Sequence, residues 1–133
     1  MKKLGLLLIF VAGFTFSQTD VISPTQDIPE VTAVQIYEEY ISSQFRADQM
    51  YKGKQVKITG VVGDVSEDWD IDYYKRYALK FKTGNSSSVI IFFDKQDIES
   101  LNSVAIGQTA SIIGTVIQYS ATKVKVDHSK ILQ

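Results

Sequence analysis

The spacing of apolar residues predicts an amphipathic helix near the start of the folded part of the chain. Five residues recur at intervals of three to four positions and would form one apolar stripe: Ile36, Tyr37, Tyr40, Ile41 and Phe45. Thr32 and Gln35 have the spacing of a capping box, so the helix is predicted to begin at Thr32. A helix of this length needs tertiary contacts to be stable, and we therefore expect the stripe, including Ile41 and Phe45, to be buried against the strands that follow.

Beyond Lys54 the apolar period changes to two, which is typical of half-buried β-strands. Five strands are predicted in all, of which the third, VIIFF, is short and more fully buried. The stretch DKQDIESLNSV between the third and the fourth strand predicts a short helix capped by Asp94. Gly60 and Gly63 interrupt the first strand and indicate a bend or a bulge there. The last two strands are expected to form a hairpin around residues 119–122.

This order of elements is that of an OB-fold, a small Greek-key barrel. The predicted fold is therefore mainly β: a five-stranded Greek-key barrel with an N-terminal amphipathic helix and a short helix between strands 3 and 4. The glycine-interrupted first strand fits this topology, because that strand must curve to serve both sides of the barrel.

The beginning of the sequence has the layout of a secretory signal peptide. A pair of lysines precedes an apolar run, and small residues stand before Gln18, the predicted first residue after cleavage. The chain is thus predicted to divide into a signal peptide (1–17), a flexible leader (18–30) and an OB-fold domain (31–133). We expect a periplasmic or secreted protein without stable membrane insertion after cleavage. Retention of the apolar segment as an N-terminal anchor is the alternative.

Net charge and composition argue against nucleic-acid binding and exclude chemistry that requires cysteine. Removal of residues 1–17 takes away two lysines and no acids, so the formal charge changes from −1 to −3. An acidic protein is poorly suited to phosphate backbones, which are bound by clustered lysine and arginine. The sequence contains no cysteine, which excludes disulfides, thiolate catalysis and cysteine-ligated zinc.

Two stretches resemble a known family. The stretch ADQMYKGKQVKITGVV after the amphipathic helix, and IGQTASIIGTV after the short helix, resemble the tRNA_anti-like family of bacterial OB-fold proteins. The residues that carry the resemblance are Ala47, Asp48, Tyr51, Gly53, Lys54, Gly60, Gly107 and Gly114. It implies an OB-fold in a small exported or lipid-anchored protein of unassigned function. The cysteine that would carry a lipid anchor is missing here, so membrane tethering is not implied for this chain.

No motif in the sequence predicts catalysis, and we expect neither an enzyme nor a metal or cofactor. His128 is the only histidine, has no G-x-S-x-G partner motif and is expected to be a partly exposed strand residue. The four acids in SEDWDIDYYK (66–75) offer oxygen ligands suited to calcium, but not at the spacing of an EF-hand. A solvated loop is the favoured interpretation of this segment, and calcium binding by it stays open.

The candidate ligand-binding residues lie in and beside the loop between strands 1 and 2, named L12 here (residues 66–75). Its aromatic rings stand among so many charges that a small barrel cannot bury them all without burying charge. Three aromatic anchors and three flanking lysines are predicted: Trp69, Tyr73, Tyr74, Lys57, Lys80 and Lys82. Lysines beside aromatics can hold single-stranded nucleic acid, but a solvated strand also presents lysines. A purely structural role of Trp69, as a cap on the barrel, is the alternative.

Taken together, these patterns predict an exported, non-catalytic OB-fold binding module whose partner is a protein, a peptide or an envelope glycan. The alternative is a single-stranded RNA- or DNA-binding protein of the anticodon-binding OB type. The acidic loop beside the lysines disfavours that alternative, since it would repel a polyanion.

Overall fold

A computed structural model of the protein describes residues 27–132, so the predicted signal peptide and most of the predicted leader lie outside the described residues. A three-residue strand and two helices open this region, and five longer strands and one 3-10 helix follow. The elements are β1 (Glu30–Thr32), α1 (Ala33–Ser42), α2 (Gln44–Tyr51), β2 (Gln55–Trp69), β3 (Lys75–Phe81), β4 (Val89–Phe93), the 3-10 helix (Lys95–Ser103), β5 (Thr109–Ser120) and β6 (Lys123–Leu132).

Strands β2 to β6 close into a five-stranded ring, as predicted for an OB-fold. Neighbours follow the order β2-β3-β4-β6-β5, and β2 also pairs with β5 to close the barrel. The long strand β2 serves both sides: residues 55–61 pair with β5, and residues 62–69 pair with β3. The pairing with β3 shifts register between Val62 and Asp64, which confirms the irregularity predicted at Gly63. Strand β1 adds to β2 in parallel.

The barrel core is built from the alternating apolar residues that the sequence pattern indicated. Its members include Val56, Ile58, Val62, Leu79, Phe81, Val124 and Val126, all fully buried. A second, smaller cluster on the other face of β3 and β4 contains Ala78, Ile90 and Phe92. Because β4 is covered on both faces, all five of its residues are buried, which accounts for its uninterrupted apolar sequence VIIFF.

The predicted single helix is in fact two helices, separated at Ser43. Thr32 forms the predicted capping box with Gln35 at the start of α1. Ser43 is extended, and its hydroxyl accepts a hydrogen bond from the backbone N–H of Arg46, so it caps a new helix. The prediction that Ile41 and Phe45 are buried is wrong: they are 56% and 75% exposed.

The break at Ser43 changes which residues of the second helix face the barrel. Ala47 and Tyr51 take the buried positions of α2, and the Tyr51 hydroxyl donates a hydrogen bond to the Glu39 carboxylate of α1. Tyr40 of α1 stacks on Tyr119 of β5, with ring centroids 4.9 Å apart. Both helices are therefore packed into the domain, and the ADQMY part of the family motif has a structural role.

The turn after α2 explains the glycine in the same motif. Gly53 has a φ of 79°, in the left-handed region that disfavours side chains. Its backbone N–H donates a 2.8 Å hydrogen bond to the carbonyl of Val116 in β5. This conformation thus ties the end of α2 to the barrel just before β2 begins.

Two predictions about the second half of the chain have different outcomes. The β5–β6 hairpin is confirmed, with Ala121 and Thr122 both at positive φ in its turn. The short helix exists as a 3-10 helix, but Asp94 makes no side-chain capping hydrogen bond to it. The Asp94 carboxylate instead contacts the His128 ring, in the region described next.

Candidate ligand-binding site

Loop L12 is shaped by the buried side chain of Asp70, which is 7% exposed. Its Oδ1 atom accepts hydrogen bonds from the backbone N–H groups of Asp72 and Tyr74, at 2.9 and 3.0 Å. Short polar side chains commonly stabilise turns in this way. Reading the whole acidic run as solvated is therefore wrong at Asp70, although Asp72 is exposed.

The three predicted aromatic anchors are all presented to solvent by this loop. Trp69, Tyr73 and Tyr74 are 51%, 82% and 70% exposed. The Lys75 ammonium lies 5.4 Å from the centroid of the Trp69 ring, a cation–π contact. Half of the Trp69 surface is open, so the ring does not close the barrel end as a buried cap.

The three lysines predicted to flank the aromatic anchors do not form one continuous basic surface. Lys80 is largely buried and lies 3.1 Å from the Asp68 carboxylate. Lys57 pairs with Glu30 of β1 at 3.8 Å, in the half of β2 that contacts β5. Lys82 is exposed at the end of β3. The structure thus gathers the aromatic candidates in one loop but separates Lys57 from them.

A cleft of about 620 Å³ lies beside L12, between this loop, the start of the 3-10 helix and β6. This volume is within the range of about 300–1,000 Å³ that is typical of small-molecule sites. Aromatic and aliphatic side chains alternate with charged ones around it. The lining includes Ile71, Tyr74, Tyr77, Phe93, Asp94 and His128.

The floor of the cleft is an ion-pair network around Arg76. Its guanidinium donates to both oxygens of Asp127, at 2.8 and 3.0 Å, and to the carbonyl of Phe93 at 2.7 Å. Asp70 lies 3.4 Å away on the loop side. The network joins L12 and β3 to β6, and sequence spacing gave no signal for it, because Arg76 and Asp127 are 51 residues apart.

The network changes the proton affinity of its members. Burial alone would raise the pKa of Asp127, but the hydrogen bonds from Arg76 and from the backbone N–H of His128 outweigh burial and lower it. The same pairing with Asp127 raises the pKa of Arg76. Both groups are therefore charged at neutral pH.

His128 lies at the rim of the cleft, on an irregularity of β6 where its φ is 54°. It is exposed, as predicted, and its Nδ1 atom is 2.8 Å from Oδ1 of Asp94. Asp94, Asp127 and His128 offer three possible metal-ligand atoms within 4.8 Å of one another. Both oxygens of Asp127 already accept hydrogen bonds from Arg76, and Oδ1 of Asp94 contacts the His128 ring, so the ligand atoms of this cluster are already engaged within the protein and are poorly suited to a metal ion.

Comparison with known proteins places this fold in a family. The tRNA_anti-like family model matches residues 5–130. The chain belongs to the tRNA_anti-like family. No curated protein matches the sequence. Within residues 27–132, no helix is long and apolar enough to cross a membrane.

One solved structure supports the same fold, and two others match more weakly. A Klebsiella pneumoniae lipoprotein, described as a candidate nucleic-acid-binding protein, matches with a TM-score of 0.65 and 18% identity, covering 80% of this chain and 92% of the lipoprotein. RecG bound to a three-way DNA junction matches with a TM-score of 0.48 and 12% identity, covering 80% of this chain and 13% of RecG. Yeast Stn1 and Ten1 match with a TM-score of 0.47 and 16% identity, covering 82% of this chain and 65% of the yeast chain. At 18% identity the likeness to the lipoprotein is one of fold, and with its closed five-stranded barrel this tRNA_anti-like protein is an OB-fold module.

Proposed function

We propose that this OB-fold module is exported and binds, without catalysis, a protein, a peptide or an envelope glycan through loop L12. The observation that carries the proposal is the set of large side chains that L12 presents to solvent: Trp69, Ile71, Tyr73 and Tyr74. Aromatic residues held in fixed positions are typical anchors of binding interfaces. The Asp70 hydrogen bonds supply that fixed framework.

The charges beside L12 favour such a partner over nucleic acid. OB-folds that hold nucleic acid use exposed cations beside stacking rings across strands equivalent to β3 and β4. In this protein Lys80 forms an ion pair with Asp68, and Arg76 forms one with Asp127, so neither cation is free to bind a phosphate group. Single-stranded nucleic acid is kept as the second candidate because of one observation, the Lys75 ammonium over the exposed Trp69 ring.

Trp69 is the only tryptophan in the sequence, so its fluorescence reports directly on L12. We expect peptidoglycan fragments or a tryptic peptide mixture from the cell envelope to change this signal. Tyr73→Ser should weaken the binding at least tenfold and leave the melting temperature unchanged, because Tyr73 is 82% exposed. Phe45→Ser, at an aromatic residue 75% exposed on α2, is the matched control and should bind normally.

Two results would contradict the proposed function. One is an equal loss of binding in the Tyr73→Ser and Phe45→Ser proteins, which would remove L12 from the site. The other is tight binding of a 20-nucleotide oligo(dT) that falls steeply between 50 and 300 mM salt, which is the signature of phosphate contacts.

Export is the other part of the proposal, and it rests on the pattern of residues 1–17. The similar Klebsiella protein is a lipoprotein, which supports a location in the cell envelope. We expect intact-mass analysis of protein from the envelope fraction to give a chain that begins at or near Gln18. A full-length cytoplasmic species would contradict export.

A further inference from the structure

We propose that the cleft beside L12 receives a cationic side chain, lysine or arginine, of a peptide or protein partner. This inference rests on the proposed function and names the chemistry of its ligand. It is carried by three features of the cleft: a guanidinium whose two terminal nitrogens are already paired, carboxylates that still have free acceptor positions, and exposed tyrosine walls.

Arg76, the more buried of the two cations that line the cleft, is poorly placed to bind an incoming anion. Both terminal nitrogens of Arg76 donate within the protein, to Asp127, to Asp70 and to the Phe93 carbonyl. A phosphate or carboxylate that bonded these two nitrogens would have to displace one of those partners, the foremost being Asp127, which is bidentate and 9% exposed. Truncating or displacing one member of such a pair leaves a buried charge behind, which is costly.

Two carboxylates of the lining retain acceptor capacity. Asp94 binds the His128 ring through Oδ1 alone. The Asp72 carboxylate makes no ion pair with another residue of the described part of the chain, and the hydrogen bond of Asp72 to Asp70 uses only its backbone N–H. In all, four aspartates line the cleft against two cations, Arg76 and the exposed Lys95, so its lining is net negative. That charge is complementary to an ammonium or a guanidinium.

The walls suit the same ligand. Tyr74 and Tyr77 are 70% and 52% exposed and line the cleft. Aromatic faces attract ammonium and guanidinium groups, and the neighbouring Lys75–Trp69 contact shows this chemistry on the same hairpin. The side chain of lysine or arginine also has an aliphatic stem, which can pack against Ile71 and Ile98 at the cleft wall.

The probes are three blocked pentapeptides that differ only in charge: Gly-Lys-Gly-Lys-Gly, Gly-Arg-Gly-Arg-Gly and Gly-Glu-Gly-Glu-Gly. Each is titrated into the ¹⁵N-labelled protein, and amide chemical shifts are followed. We expect the lysine and arginine peptides to shift amides of residues 70–77 and 94–98, and the glutamate peptide to leave them unchanged. Glu99→Gln, on the same 3-10 helix outside the cleft, is the matched control and should bind like the unaltered protein.

The variants separate this inference from the proposed function. Asp72→Asn combined with Asp94→Asn should weaken the cationic peptides at least tenfold, and Lys95→Gln should strengthen them. If Tyr73→Ser abolishes binding of the envelope ligand while the double variant changes nothing, L12 remains the site and the cation inference is overturned. If the double variant loses the peptides and Tyr73→Ser keeps the envelope ligand, the cleft stands and the aromatic loop is overturned. Equal shifts with the glutamate peptide, or none with any peptide at millimolar concentration, would also overturn the inference.

Discussion

Ile36→Ala is expected to lower the free energy of unfolding by about 3 kcal/mol, within the range of about 2–5 kcal/mol for removal of a buried isoleucine side chain. Ile36 is completely buried, on the face of α1 that packs into the main core. Truncation removes apolar contacts with the barrel and leaves a cavity that the closed sheet cannot easily fill. Urea unfolding followed by circular dichroism measures the change.

Ile41 supplies a control of the same residue type on the same helix. It is 56% exposed, so Ile41→Ala should change the free energy of unfolding by less than about 0.5 kcal/mol. A loss at Ile41 as large as that at Ile36 would mean that the helix continues unbroken, in the register that its apolar spacing suggests. A small effect of both would mean that α1 is not part of the folded unit.

The contrast between these two isoleucines shows what the helical pattern can and cannot predict. The capping box at Thr32 is a local signal, and it located the start of α1 correctly. The end was missed because Ser42 and Ser43 are compatible with a helix surface, and the capping hydrogen bond from Arg46 to Ser43 competes with helix continuation. Because α2 begins anew after Ser43, residues spaced three to four positions apart across this break no longer lie on one helix face.

The barrel was more predictable than the helices, because alternation has a strict period and any shift exposes a whole face. Val56, Ile58 and Val62 face the core as expected, and the irregularity in β2 falls at Gly63. The second cluster under Ala78 was not predictable, since Lys80 beside it indicates a solvated face. In the structure Lys80 is instead paired with Asp68 of the neighbouring strand, and the Arg76 guanidinium lies over the Phe92 ring of the cluster.

The candidate site likewise has one part that local sequence predicts, the exposed aromatics of L12, and one part that it does not, the cleft. Exposure of the L12 aromatics follows from the density of charge around them in the sequence, which is a local property. The pairs Asp94–His128 and Arg76–Asp127 span 34 and 51 residues. Only the folded barrel brings them together, so the cleft could not be located from sequence spacing. Taken singly, the charged residues that line the cleft belong to no motif that would have marked them in the sequence.

Arg76→Met is expected to lower the free energy of unfolding at pH 7 by about 3 kcal/mol, near the lower end of the cost of breaking a buried ion pair. The side chains of Asp127 and Asp70 are 12% and 8% exposed, so both would keep their charge in a poorly solvated place without a partner. Methionine preserves most of the aliphatic stem, which makes lost packing a minor part of the effect. Arg46→Met, at an exposed arginine on α2, is the control and should cost less than about 0.5 kcal/mol.

The pH dependence of this loss identifies its cause. With Arg76 present, the pKa of Asp127 is lowered in the folded state, so the pair stabilises the protein above the ordinary aspartate pKa and this contribution fades only as the pH falls through the lowered value. Without Arg76, only His128 still opposes burial, which is the largest influence on this carboxylate, and we expect burial to raise the pKa of Asp127. The folded variant then binds more protons than its unfolded chain, and acidification stabilises it relative to the unaltered protein. The deficit measured at pH 7 should therefore shrink toward pH 5.

A second substitution tests whether the charge of Asp127 is responsible. Adding Asp127→Asn to the Arg76→Met protein removes the unpaired carboxylate, and we expect it to recover part of the lost stability at pH 7 and to flatten the pH dependence. Removing both partners of a buried pair costs less than removing one, because no buried charge is left without a counter-ion. A deficit that stays constant from pH 7 to pH 5, and is unchanged by Asp127→Asn, would mean that Arg76 acts through packing on the Phe92 ring, 5.2 Å from its guanidinium carbon, and not through its charge.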